Sequence, residues 1–401
     1  MIELPGLRDD QVAVVKHPAK VKVCVLGRRW GKTLTGGVVS VNVLRQHGRV
    51  AWVAPTFKNT RPMWRWATAV CRNERRLRIR EGDKIISSSR GGSLSVFSAD
   101  NADSILGDAF HLVIVDEAAL VKEEVINNVI MPTLADYDGD LILIGTPRGK
   151  NYFYHMFMRG QSDEPGIASW QGPTSMNPIP SIQRAFKKAR KQLPERTFRQ
   201  EFLAQFIDDG GEVFRGVRAC ATAVHQAHAT QGHQYIIGVD WAKYEDFNVF
   251  AVFDINEQAL VHLDRSQSID YMVQCGRLKV LADKFNNPVI VAETNSMGDA
   301  VMEQLMRMGL QIVPFTTTNA TKAVIIDGLT LAFEQKTIRI LNDTVLIGEL
   351  EAYTMKRTGA SRLLRYTAPD GMHDDTVIAL ALAYHGGRGV GSPDDWVLGP
   401  R

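Results

Sequence analysis

Cysteine is scarce: Cys24, Cys71, Cys220 and Cys275 are the only four in 401 residues, and they lie far apart with no CxxC pair. That pattern excludes a disulfide framework and a cysteine-based zinc site, and it implies a reducing, intracellular setting. Long apolar runs are missing too. No stretch approaches the roughly 18 apolar residues of a membrane span, and the opening MIELPGLRDDQ has no basic segment leading into an apolar one. A soluble, untargeted protein with no membrane partner is expected. Neither an internal repeat nor a low-complexity tail is present. Net charge is small, because 47 Lys and Arg face 44 Asp and Glu and leave only +3. Such a balance does not diagnose a nucleic-acid binder, so any basic surface has to be local. What remains is ordinary globular material, 45% hydrophobic and 23% charged, long enough for two or three domains that each bury a core.

The apolar runs divide the chain. VKVCVLG leads into a glycine-bearing turn and a helical segment from Lys32 to about Gln46. Further short runs at 50–53, 94–97, 112–115 and 141–144 alternate with helical or polar text, as parallel strands buried on both faces do. Residues 1–207 therefore read as an α/β domain with a mostly parallel sheet. Within it, 151–207 reads as a small helical lid, carried by PSIQRAFKKARKQL and PERTFRQEFLAQF with Pro194 opening the second helix. IDDGGEVFRG and the His-rich CATAVHQAHATQGHQ break both periodicities, which marks 208–232 as a linker. From 233 to 401, YIIGVDWA, NVFAVFDI and ALVHLDR give way to helices alternating with PVIVAET and QIVPF, the pattern of a second, mixed sheet.

Gly27-Arg28-Arg29-Trp30-Gly31-Lys32-Thr33 lies between a strand and a helix, the context that gives a phosphate-binding loop its weight. Loop amides and the helix N-terminus favour anions, Lys32 neutralises the β/γ-phosphates of ATP, and Thr33 holds Mg²⁺. The spacing departs from GxxxxGK[ST], with Leu26 at the first-glycine position and Gly27 one place later. Downstream, LVIVDEAA ends a strand in Asp116, suited to hold Mg²⁺ through water, and Glu117, suited to orient the attacking water. Thr146 in GTPRG is a candidate γ-phosphate sensor, though the segment also suits a tight turn. Gln11 is a candidate adenine reader, and a lone exposed glutamine without function is the plain alternative. Arg28 either stabilises phosphoryl transfer in cis or pairs with a carboxylate.

A second acidic set follows. Asp240 ends YIIGVD, Glu293 ends PVIVAE, and Asp374 and Asp375 open the helix DDTVIALALAYH. Three carboxylate positions on separate elements suit two hard cations, Mg²⁺ or Mn²⁺, that activate water for attack on a phosphodiester. One of Asp374 and Asp375 also suits a helix N-cap, and His373 suits either a metal-bound water or a capping role.

Together these segments resemble the large terminase subunits of tailed bacteriophages over nearly the whole chain: GRRWGKT, LVIVDEAA, GTPRG, TFRQEFLAQFIDDGGEVF, GVDWA, AETN and HDDTVIALALAY. The resemblance implies that Arg28, Gly31, Lys32 and Thr33 form a Walker A motif, Asp116 and Glu117 a Walker B motif, and Thr146 a coupling motif. It assigns Asp240, Glu293 and Asp375 to the metal site of an RNase H-like endonuclease, with Asp374 a second candidate for the last position. It also implies ATP-driven movement of double-stranded DNA into a procapsid, in the bacterial host cytoplasm and transiently at the portal vertex. The implied partners are a portal protein and a small terminase subunit, and the implied assembly is a pentameric ring, with an isolated chain monomeric. Many relatives carry Arg-Gly shortly before Walker B where this chain has Leu106-Gly107, which leaves Arg90 and Arg148 as substitutes for an arginine acting across subunits. A helicase-nuclease of repair or restriction would use the same two chemistries, but 151–232 is too short for a second motor core. A non-catalytic scaffold would not keep Lys32, Glu117 and the acidic positions intact.

Overall fold

The computed structural model describes residues 3–162, 164–207, 212–241, 247–294, 299–358, 363–369 and 373–389. The chain forms two compact units, the first mainly Met1–Lys191 and Glu195–Asp208, the second mainly Asp209–Thr358 and Leu363–Arg401.

The first unit is built on eight strands: β1 (Val21–Leu26), β2 (Arg49–Ala54), β3 (Leu77–Arg80), β4 (Ile85–Ser88), β5 (Ser93–Ser98), β6 (Leu112–Val115), β7 (Asp140–Gly145) and β8 (Ile167–Gly172). Their order is β3-β4-β5-β2-β6-β7-β1-β8, parallel from β5 to β8 and antiparallel at the β3–β4–β5 edge. The central strands bury both faces, so they are runs of Val, Ile, Leu and Ala rather than alternations. Helices α1 (Asp9–Lys16), α2 (Lys32–Arg45), α3 (Phe57–Cys71), α4 (Glu123–Val125), α5 (Tyr152–Gln161), α6 (Pro180–Gln192) and α7 (Glu195–Glu201) accompany the sheet. Since β1, β7 and β6 are neighbours and parallel, the loops that follow them share one edge, where ligands of open α/β sheets bind.

The expectation of a purely helical stretch from 151 to 207 needs correcting at β8, which pairs parallel with β1 along its whole length. Its sequence, IASWQG, mixes small and polar residues because the strand closes an edge of the sheet. The expected 208–232 linker also needs correcting. Phe214, Val217 and Cys220 are buried in the core of the second unit, with Phe214 packed on Phe333 at 5.5 Å and Tyr353 at 5.6 Å. Val217–Cys220 forms a short helix, α8.

The second unit is built on β9 (Tyr235–Asp240), β10 (Asn248–Asp254), β11 (Ala259–Ser266), β12 (Val289–Glu293) and β13 (Ile312–Phe315), in the order β11-β10-β9-β12-β13. The first three pair antiparallel and the last two run parallel to β9, so the sheet is mixed as expected. β14 (Thr354–Thr358) and β15 (Leu363–Thr367) form a separate ribbon. The remaining helices are α9 (Tyr271–Lys284), α10 (Asp299–Arg307), α11 (Asn319–Glu334), α12 (Thr344–Ala352) and α13 (Asp375–Arg388). α13 is apolar around most of its circumference because it is buried against β9 and β10 on one side and α11 and α12 on the other. Gly238 permits that packing: a β-carbon there would lie 2.0 Å from the Ala379 carbonyl oxygen and 2.5 Å from the Ala383 nitrogen.

Candidate functional sites

In the first unit the turn after β1 enters α2 through backbone that favours glycine. Gly31 has φ of +116° and Arg29 has φ of +61°. Lys32 and Thr33 occupy the first turn of α2, and Lys32 Nζ folds back to donate to Thr146 Oγ1 at 3.0 Å and the Leu26 carbonyl at 3.2 Å. Thr146, just past β7, is 2% exposed, so the expected sensor and the expected phosphate-binding lysine are in direct contact. Burial holds the Lys32 ammonium below its ordinary value against the pull of Glu117, Asp116 and Glu201. Burial and then the Glu117 charge push the Asp116 carboxyl up to about 7, Lys32 opposing them. Glu117 follows in left-handed backbone, φ +48°, a strained conformation for a non-glycine residue and one that clusters at active sites. Lys32, Asp116, Glu117 and Thr146 thus meet at one sheet edge, a desolvated ammonium among carboxylates.

Gln11 is buried rather than exposed. Its Oε1 accepts from the Arg8 amide at 3.0 Å, its Nε2 has no hydrogen-bond partner, and a β-carbon on Gly31 would lie 2.6 Å from that nitrogen. A buried, unpaired amide donor is costly, and this one lies against the loop before α2. Trp30 is buried under the Arg8 guanidinium, whose Nη1 donates to the Trp30 carbonyl at 3.0 Å.

Sequence reasoning missed Glu201. The RQEFLAQF segment, read above only as helix, holds the loop through Glu201. The Gly27 amide donates to the Gly172 carbonyl at 2.8 Å and the Arg28 amide to the Glu201 carbonyl at 2.7 Å. Thr174 Oγ1 donates to the Arg28 carbonyl and Asn177 Nδ2 to the Arg29 carbonyl, both at 2.7 Å. The Glu201 carboxylate takes the Arg28 guanidinium by a short hydrogen bond and lies 3.4 Å from Arg148 Nη2. Of the two readings of Arg28, the carboxylate partner is the one observed here. Arg148 is likewise committed to Glu201, whereas Arg90 lies exposed in the β4–β5 turn beside Gly91. Leu106 is 56% exposed and Gly107 has φ of +83°.

In the second unit Asp240 ends β9 and Glu293 ends β12 at matching heights, since Val239 pairs with Ala292. Asp240 is hydrogen-bonded to Glu293. Burial first, then the charges of Glu293, Asp375 and Asp374, raise its carboxyl well above the usual range. Asp375 is 8% exposed, and its Oδ2 lies 3.4 Å from the Phe247 amide and 3.8 Å from His373 Nδ1. Asp374 occupies the N-cap position of α13 but its side chain caps nothing; its Oδ2 is 2.9 Å from Lys322 Nζ of α11. Capping falls instead to Glu349 of α12, whose Oε2 accepts from the Thr376 amide at 2.9 Å and from the Thr376 hydroxyl. Both aspartates are therefore released from the capping role that sequence allowed them. Among the described residues no three acidic, imidazole or thiol groups form a finished metal shell. Carboxylates crowded round a half-buried Asp240 fit a hard, oxygen-seeking cation by donor type and by unrelieved charge. Lys322, which pairs with Asp374, and Glu349, which caps the helix and lies 3.5 Å from Arg265, carry no sequence signal, since each meets the site only through folding.

The chain matches two protein families: terminase large subunit, T4likevirus-type, N-terminal, over residues 23–218, and terminase RNaseH-like domain over residues 237–386. It is 29% identical over 419 residues to the large terminase subunit of Thermus virus P23-45, covering 93% of this chain and 86% of that relative. It is 29% identical over 200 residues to the large terminase subunit of Escherichia phage T5, covering 48% of this chain and 45% of the relative. Among solved structures, the large terminase of a thermophilic bacteriophage shares the fold with a TM-score of 0.61 at 14% identity, over 95% of this chain and 98% of that one. The large terminase nuclease of phage G20c, solved with bound magnesium, is 30% identical over 43% of this chain and 96% of that one, with a TM-score of 0.41. With one family match on each sheet and a relative aligned along nearly its whole length, this chain belongs to the large terminase subunits, the ATPase-nucleases that package phage DNA.

Proposed function

We propose that the first unit hydrolyses ATP to drive double-stranded DNA into a procapsid and that the second cuts the concatemer. The observation that carries this reading is the meeting of Lys32, Thr146, Asp116 and Glu117 at one sheet edge. Lys32 leaves Thr146 to hold the β/γ-phosphates, and Thr146 reports the change toward β7. Thr33 and Asp116 would hold Mg²⁺, which when bound neutralises phosphate charge. Glu117 orients the attacking water, Gln11 reads the adenine edge, and Gly27, Arg29, Trp30 and Gly31 shape the loop. Arg28, once free of Glu201, supplies positive charge to the transferring phosphoryl group. In the second unit Asp240, Glu293 and Asp375, with Asp374 after it leaves Lys322, would hold two divalent cations, Mg²⁺ or Mn²⁺; when bound they activate water and stabilise the leaving oxygen.

The resemblance further assigns the chain a portal protein and a small terminase subunit as partners. It also assigns a pentameric ring on the procapsid, a monomeric state in isolation, and a place in the host cytoplasm. The functional division is an ATPase domain of 1–207 and a nuclease domain of 233–401 to whose core the 212–220 segment is added. ATP turnover measured with and without linear duplex DNA tests the motor. Stimulation without strand separation is expected, whereas strand separation would mean a helicase and no turnover a scaffold.

A further inference from the structure

Helix α6, PSIQRAFKKARKQ, contains no acidic residue and buries none of its side chains. Its weakly apolar side is nevertheless tied down. Phe186 packs on Phe198 at 5.2 Å and on Phe202 at 6.3 Å, and the Arg190 guanidinium lies over the Phe198 ring at 5.5 Å. With that side fixed, Arg184, Lys187, Lys188 and Lys191 fall at spacings of three and four, on one exposed stripe. A charged helix face is ordinarily only a solvated surface, and such faces mix both signs to limit self-repulsion. This stripe carries one sign.

Its attachment is also specific. Gln183 Nε2 on α6 donates to the Asn177 carbonyl at 2.5 Å and the Ser175 carbonyl at 2.8 Å. Asn177 in turn donates to the Arg29 carbonyl, and Thr174 to the Arg28 carbonyl, of the loop before α2. Two hydrogen-bonded steps therefore join the start of α6 to the backbone of the ATP loop.

We propose that the Arg184–Lys187–Lys188–Lys191 face of α6 grips the phosphate backbone of duplex DNA, so that a change in the loop on ATP turnover moves a DNA contact directly. This rests on the packaging reading above and adds to it a DNA-contacting element. At about 1.5 Å rise per residue the stripe is about 10 Å long. Phosphates follow one another about every 3.4 Å along the axis of each strand, so the stripe spans two or three of them. Contacts of this kind carry no sequence information, which suits a motor that must move any sequence.

The test uses the full chain with metal chelated, a 30-base-pair fluorescent duplex, and binding measured by anisotropy across a range of salt. The variant is Arg184→Gln/Lys187→Gln/Lys188→Gln. A charge-matched control, Lys16→Gln/Lys122→Gln/Lys336→Gln, removes the same charge elsewhere. Each lost phosphate contact flattens the slope of log affinity against log salt by about 0.9, so the α6 variant should lose about 2 to 3 from that slope while the control keeps it. In a separate assay with Mg²⁺, DNA stimulation of ATP turnover should fall as well, and a thermal melt matching wild type shows that the helix still folds. A slope equal to wild type overturns the proposal and leaves the stripe for an acidic protein surface. A slope lowered equally in the control overturns it too, since bulk charge would then be the cause. Absence of duplex binding by the wild-type chain would instead overturn the packaging reading itself.

Discussion

Glu201→Gln removes one charge from beneath the ATP loop and keeps the side chain's shape. The carboxylate is 10% exposed, and its two partners reach water to different degrees, Arg148 at 24% and Arg28 at 60%. Leaving a fully buried charge unpaired costs about 3–5 kcal/mol, whereas exposed pairs contribute about 0–1 kcal/mol. With two half-open partners and a glutamine that still accepts one hydrogen bond, the loss should be about 2 kcal/mol. In a unit of about 200 residues that lowers the melting temperature by about 4–8 °C. The sign with pH is fixed. Burial would raise the Glu201 carboxyl, but the charges of Arg148 and Arg28 and hydrogen bonds from Arg28 and Gln200 outweigh it and hold it below the ordinary glutamate value. The native state then binds fewer protons than the unfolded state, so this stabilisation is complete above pH 4.5 and is lost as pH falls through the lowered value.

Differential melts of wild type and variant should therefore diverge at pH 7 and converge under acid. A double-mutant cycle with Arg28→Gln should give a coupling of about 1 kcal/mol, limited by the exposure of Arg28. A gap that stays constant from pH 7 to well below pH 4.5, or a cycle that closes at zero, would refute the claim that Glu201 holds Arg28 electrostatically. ATP turnover should fall in Glu201→Gln even where the fold is intact, because the same residue sets the position of the loop.

How much of this was legible in sequence depended on how locally each feature is encoded. Asp116, Glu117, Thr146, Asp240 and Glu293 sit where an apolar run stops and Lys32 opens the helix after one, patterns visible in about ten residues of text. Asp374 and Asp375 were equally visible, but their roles were not: the cap belongs to Glu349 and a counter-charge to Lys322, partners 27 and 52 residues away. Strand β8 was hidden because an edge strand needs little apolar patterning, and IASWQG competes with the strong helical text on either side. The 212–220 segment looked like a linker because GEVFRGVRAC offers only scattered apolar residues, and Phe214 becomes core only through Phe333 and Tyr353. Glu201 was hidden for a similar reason, as its two arginines come from the turns after β1 and β7.

Lys32→Ala should abolish ATP hydrolysis and leave divalent-metal-dependent DNA cleavage largely intact, checked by phosphate release and plasmid nicking. Wild-type turnover would remove Lys32 from the phosphate site. Glu117→Gln should bind nucleotide within a fewfold of wild type yet fail to turn it over, so lost binding would make Glu117 structural. A fragment of residues 212–401 should nick DNA with Mn²⁺ or Mg²⁺ and outlast one of residues 232–401 on heating, because the shorter piece lacks Phe214 and loses about 3–5 kcal/mol of packing. Equal melting would return 212–232 to the linker. For the acidic cluster, the raised Asp240 carboxyl means that the native state holds a proton the unfolded state has released, so metal-free stability should fall as pH rises above about 4. Asp240→Asn removes that penalty and should melt no lower than wild type in EDTA. It should also lose both DNA cleavage and the rise in melting temperature that Mn²⁺ gives the wild type, about 2.7 kcal/mol at a hundredfold excess over the dissociation constant. Asp375→Asn should behave alike and Asp374→Asn more mildly, because Lys322 already neutralises Asp374. If Asp240→Asn melted well below wild type in EDTA and still cut DNA, Asp240 would be a structural partner of Glu293, and the cleavage site would have to be sought away from the ends of β9 and β12.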